Sequence, residues 1–302
     1  MDGSDARRWN SGGLWLGVLV GFLGLLPWLA AGERLPLQNL WRTSTMPADM
    51  PWSMLPLSQY YPDVVIGLLV SGGLAAGLLV RWRPGPGIRR GAGFGLLLTQ
   101  SVAACQAFSV LVPGQRPGLL AAAYVAGLVA TCLLGIALAQ LVLRWTADGP
   151  AWLAAMGVSL AAAPVATWLG TWLQLTFGEV SVPAPLWTVL AWVPALLTGV
   201  ALAWCGWGGR GRSAAWGIGL LLLWLQPALL TGVRMAVARN TVSQGAASMA
   251  ETFLRATATE LATPWPAAAH VALAAGIGLV GGLTVRILGR RGSRAAQPVE
   301  LR

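Results

Sequence analysis

Residues 118–143 read GLLAAAYVAGLVATCLLGIALAQLVL, a run without a single charged side chain. A helix needs about 20 apolar residues to cross a hydrocarbon core about 30 Å thick, and this run exceeds that length. Seven further runs of the same character surround it, at 13–32, 64–82, 92–112, 151–175, 186–205, 214–233 and 267–288. Each is rich in Leu, Ala, Val and Gly, and none has a charge near its centre. The pattern predicts an all-α integral membrane protein with about eight transmembrane helices.

Composition points the same way. Of the 302 residues, 56% are hydrophobic and 10% are charged, whereas a soluble domain carries about 25% charged residues. So few charges cannot cover a water-facing surface, so the expected surrounding is the lipid bilayer. The net charge is +10, and all 20 basic residues are Arg. They sit in loops and at helix ends rather than on one face, which argues topology and against nucleic acid as a partner. The absence of Lys beside abundant Ala, Gly and Arg suggests a bacterial, GC-rich coding sequence. Cys105, Cys132 and Cys205 all fall in apolar runs, where they read as small buried hydrophobes, not as a disulfide framework.

Arginine placement sets the expected orientation. With the N-terminus in the cytoplasm, only Arg34, Arg42, Arg116, Arg234, Arg239 and Arg255 lie outside, leaving the other fourteen of 20 inside. The positive-inside rule then places both termini of a multi-pass plasma-membrane protein in the cytoplasm. Arg7 and Arg8 before the first run resemble a signal peptide, but the run is long and its cleavage site weak, so it is expected to be retained.

The two halves align in register. Trp15, Leu16, Leu23 and Pro27 recur as Trp152, Leu153, Leu160 and Pro164. Gly77 to Trp82 matches Gly199 to Trp204, and Gly93-Phe-Gly-Leu-Leu-Leu98 matches Gly217-Ile-Gly-Leu-Leu-Leu222. Ala121-Ala-Ala-Tyr124-Val-Ala126 matches Ala267-Ala-Ala-His270-Val-Ala272. These matches suggest two parallel four-helix repeats about a pseudo-two-fold axis along the membrane normal. Shared membrane composition is the plainer alternative. The expected division is a cytoplasmic tail at 1–12, repeat A at 13–145, repeat B at 146–290 and a cytoplasmic tail at 291–302. Repeat A carries an outer loop at 33–63. Repeat B carries an outer amphipathic segment at 234–266, with Met249, Phe253, Leu254, Ala258 and Leu261 on one face and a Glu251–Arg255 pair.

Chemistry-bearing residues are sparse. Asp63, Glu33, Glu179, Glu251 and Glu260 read as outer or interfacial, and Asp148 as inner. A single histidine, His270, cannot supply a bis-histidine haem or a His-based metal cluster, so no metal or cofactor is expected. Met46, Met50 and Met54 could offer thioethers to Cu(I), but no outer Cys or His supports them, and Met commonly fills gaps. Polar groups at depth are Thr99, Gln100 and Ser101 in the third helix and Gln226 before Pro227 in the seventh. If those helices face each other, Gln100 and Gln226, with Thr99, Ser101 and His270, line a polar path. Otherwise they are hydrogen-bonded contacts between helices. Pro164, Pro194 and Pro227 kink the second half, as hinges or as tolerated curvature.

Inner loops at 83–91, 144–150 and 206–213 are too short for a nucleotide domain. The sequence thus favours a permease or transporter-like subunit without its own ATPase, working with a partner membrane or ATPase subunit. A non-catalytic scaffold or accessory subunit of a cell-envelope complex is the alternative. A lipid-modifying enzyme fits least, since no acid, base or nucleophile cluster emerges.

Overall fold

The computed structural model describes residues 11–32, 34–178, 181–238 and 245–295. Among them the chain is all-helical: α1 (Ser11–Ala30), α2 (Pro62–Trp82), α3 (Ile88–Gly114), α4 (Leu119–Asp148), α5 (Ala151–Phe177), α6 (Ala184–Cys205), α7 (Arg210–Ala238), α8 (Gly245–Ala262) and α9 (Pro264–Ala295). Eight of these, all but α8, are long and apolar enough to cross a membrane. The chain is therefore a multi-pass membrane protein. Its outward-facing side chains fit a hydrocarbon solvent: Leu119 is 85% exposed, Val280 68% and Leu19 65%. Arg7, Arg8, Glu33, Glu179, Arg239 and Arg302 lie outside the described residues.

Small residues decide which helices approach. α1 packs along α3, and α2 along α4. A β-carbon added at Gly17 of α1 would run into the backbone carbonyl of Ala92, and one at Gly95 of α3 into that of Leu14. Close backbone approach of this kind is the usual basis of helix association in lipid. In the remainder of the chain α5 packs on α6 and α7, and α6 on α9. The two sets meet at α5, which rests on α2 and α4 and touches α1. Trp168 of α5 fastens this junction by donating from Nε1 to the Gly24 carbonyl of α1 at 2.8 Å.

The 34–61 connection is a folded cap rather than an open loop. Leu35, Met50, Leu55 and Leu57 are each 1% exposed or less and join one core with Leu25, Trp28 and Leu111. Gln38 centres its polar interior. Its Nε2 donates to the carbonyls of Pro36 and Leu57 at 2.6 and 2.8 Å, and its Oε1 accepts from the Tyr124 hydroxyl at 2.6 Å. Trp28 Nε1 donates to the Ser53 carbonyl at 2.8 Å, and Gln106 of α3 accepts the Met54 N–H at 2.8 Å. The face bearing this cap is called the cap face below.

Several expectations change. Met50 is buried, Met54 packs on the core and Met46 is 69% exposed, so burial scatters the three thioethers. Cys132 and Cys205 are buried as expected, but Cys105 is exposed, since α3 turns that side away from α1 and α2. α7 continues past residue 233 to Ala238, and α8 packs on α7. Of the expected apolar face, α8 keeps Phe253 on its packed side and turns Leu254 away. Phe253 and Thr257 press against Gly232 of α7, while Leu254 is 64% exposed. The missing side chain at Gly232 lets α8 seat there. The expected Glu251–Arg255 pair is present at 2.7 Å.

Candidate functional site

The anticipated polar residues are not gathered in one place. α3 and α7 do not pack on each other, because α3 is held against α1 and α5 fills the junction. Gln100 is 1% exposed, and its Nε2 donates to the Leu69 carbonyl of α2 at 2.8 Å. Thr99 is buried beside Gly21 and donates to the Gly95 carbonyl of its own helix at 3.1 Å. Ser101 is half-buried on α3. Gln226 of α7 donates from Nε2 to the Leu160 carbonyl of α5 at 3.0 Å. His270 of α9 lies elsewhere, stacked on Trp192 of α6 with ring centroids 4.4 Å apart.

The Gln226 contact has a specific cause. Pro164 has no N–H, so the Leu160 carbonyl one turn earlier lacks its helical donor. The side-chain amide of Gln226 supplies that donor. Gln100 and Gln226 both keep a buried Oε1 without a partner among the described residues.

A different constellation lies at the junction, near the cap face. Asp63 belongs to the first turn of α2 and is only 6% exposed. The helix dipole favours a carboxylate there. Arg234 reaches it from α7 and pairs its Nη2 with the Asp63 carboxylate. This is a contact across 171 positions of sequence. Both charges line an open cavity of about 280 Å³ between α2, α5, α6 and α7. Thr167, Thr171 and Gln174 line it from α5, with Trp187, Leu190 and Pro194 from α6. The threonine hydroxyls donate to carbonyls of their own helix at 3.3 and 3.1 Å, leaving their lone pairs as acceptors. Pro194 removes the helical donor from the Leu190 carbonyl just as Pro164 does from Leu160. The cavity is therefore lined by a paired anion and cation, an indole and hydroxyl-bearing side chains within one small volume.

A second cleft of about 680 Å³ adjoins it along α5. It shares Thr171 and Gln174 with the cavity and adds Trp28, Arg34, Asn39 and Tyr60 from the cap side. No group of three or more His, Cys, Asp or Glu suited to a metal occurs among the described residues.

Sequence reading passed over this site. Asp63 stood one residue before the expected second span, and Arg234 one residue after the expected seventh. The available signal was local: Thr167, Thr171 and Gln174 recur at i, i+4 and i+7, a polar stripe on an otherwise apolar helix. No family model, no curated protein and no solved structure matches the chain.

Proposed function

We propose that the protein is a permease or transporter-like subunit of the plasma membrane that engages a small polar solute in the cavity between α2, α5, α6 and α7. One observation carries the reading: a buried carboxylate and a guanidinium, Asp63 and Arg234, line one cavity where the two helix sets meet. Ionisable groups held among membrane helices mark solute or ion pathways by default. A cavity of about 280 Å³ lies just under the usual range for drug-sized ligands, roughly 300–1,000 Å³, and so suits a small metabolite.

The wider organisation supports the reading. α1 on α3 and α2 on α4 are mirrored by α5 on α7 and α6 on α9, the pairing that two parallel four-helix repeats would give. Binding at the seam of such repeats is the common arrangement in transporters. In this reading both termini are cytoplasmic, the cap face is external, and the energy source is a partner subunit.

The test compares cells with and without the chain for retained and expelled small polar solutes. At least one solute pool should shift, and Arg234→Gln should abolish the shift while the protein remains folded in the membrane. If no pool shifts and envelope proteins instead lose their assembly, the scaffold reading replaces this one.

A further inference from the structure

A separate groove opens between α4, α7 and α8. α4 and α7 share no packed seam, and the gap between them holds about 340 Å³. Its walls are apolar: Leu120, Gly127 and Leu128 from α4, Val233 and Val237 from α7, and Met249 from α8. On α4 the lining runs from Leu120 to Thr131, about 16 Å of helix axis. That is about the depth of one leaflet, half of a core about 30 Å thick.

The cap-face end of the groove is polar. Ser58 and Gln59 line it there. The Gln59 Nε2 is buried and has no hydrogen-bond partner among the described residues. A buried donor without an acceptor is costly, and native proteins rarely leave one unmatched. Tyr124 also lines the groove, but its hydroxyl is already committed to Gln38. The groove thus combines a leaflet-deep apolar slot with Gln59 at its interfacial end, whose unsatisfied N–H donor lies buried behind the groove surface.

We propose that this groove is a binding site for one phospholipid of the surrounding bilayer, with an acyl chain between α4 and α7 and a headgroup or ester oxygen accepting from Gln59 Nε2 once that amide turns toward the groove. The occupant follows from the site. The apolar length calls for a chain, the donor calls for an oxygen at the interface, and the helices that form the walls are membrane spans. The groove shares no lining residue with the solute cavity, although its Pro62 and Val233 adjoin Asp63 and Arg234 along the chain. The bound lipid completes the contact between α4 and α7 that protein side chains leave open.

Gly127 provides a clean test, because a β-carbon added there meets nothing within 4 Å. The full chain is purified in detergent, stripped of lipid, and offered phosphatidylglycerol, with retention counted by native mass spectrometry. One phospholipid per chain is expected to remain on the wild type. Gly127→Trp fills the slot and should abolish retention, and Gly127→Leu should reduce it. Gln59→Leu removes one hydrogen bond and should weaken retention about fivefold. Glycerol phosphate, which has no chain, should not be retained. Thr171→Val, in the solute cavity on α5 and away from the groove, should leave lipid retention unchanged, which separates failure of this site from failure of the solute reading. Equal retention by the wild type and both folded Gly127 variants, or no retention by the wild type, overturns the proposal.

Discussion

Gln226 and Leu160 are joined by a hydrogen bond of 3.0 Å that repairs a helix. The Leu160 carbonyl is the one that Pro164 leaves without its donor, and the donor comes from the neighbouring helix. α5 can therefore bend at Pro164 with its backbone paired, but only while α7 lies alongside. Curvature and packing are coupled at this point. α5 is also the helix on which the two sets meet.

Replacing Gln226 by Leu should lower stability by about 1 kcal/mol, the usual range for a hydrogen bond between membrane helices or within a core. The informative measurement is a double-mutant cycle on thermal unfolding in detergent. Pro164→Ala restores the backbone donor to Leu160, so Gln226→Leu should cost much less in that background. Additive effects would mean that Gln226 acts elsewhere.

Gly17 and Gly127 make a contrasting pair. A β-carbon at Gly17 would strike the Ala92 carbonyl, whereas one at Gly127 meets open space. Gly17→Ala should force α1 away from α3 and destabilise by about 1–3 kcal/mol, the range for overpacking. Gly127→Ala should be neutral, or stabilising by up to about 1 kcal/mol through helix propensity. Parallel melting curves of the two variants would check the contrast. Similar losses at both sites would show that the α1–α3 approach is not what Gly17 serves.

The helices were legible because hydropathy reports them directly, residue by residue. Expected and observed ends of α5 differ by two residues, 175 against Phe177. The cap was not legible, because its order comes from distant partners such as Gln38 with Tyr124 and Trp28 with Ser53. No periodicity in 34–61 announces them. The same limit hid the site. Asp63 and Arg234 each looked like an interfacial charge at the end of a span. Only the fold brings them together, and only burial makes Asp63 unusual. Gln226 was noticed for its polarity, yet its role depends on a proline 62 positions away in another helix (226 − 164).

Topology gives a further test. In the proposed arrangement eight spans put the two ends of the chain on the same side, and the arginine bias makes that side the cytoplasm. Reporter fusions at residues 1 and 302 should both read cytoplasmic, and a fusion within the 34–61 cap should read external. Opposite readings for the two ends would remove one of the spans and with it the four-plus-four arrangement.

The ion pair at the junction should respond unequally to loss of its two partners. Asp63 is 6% exposed, whereas the Arg234 side chain is 61% exposed. Arg234→Gln leaves a buried carboxylate without its cation; breaking a fully buried pair this way costs about 3–5 kcal/mol, and the solvent exposure of Arg234 keeps the loss here below that range. The first-turn position of Asp63 in α2 offsets part of that cost through the helix dipole. Asp63→Asn leaves a guanidinium that water can solvate, so its cost should stay below about 1 kcal/mol. Combining the two changes should recover most of the Arg234→Gln loss, because no uncompensated charge remains inside. Thermal unfolding of the three variants reads the order directly. A larger loss for Asp63→Asn than for Arg234→Gln would mean that burial of the carboxylate does not govern this site, and that Arg234 is the group the cavity has to neutralise.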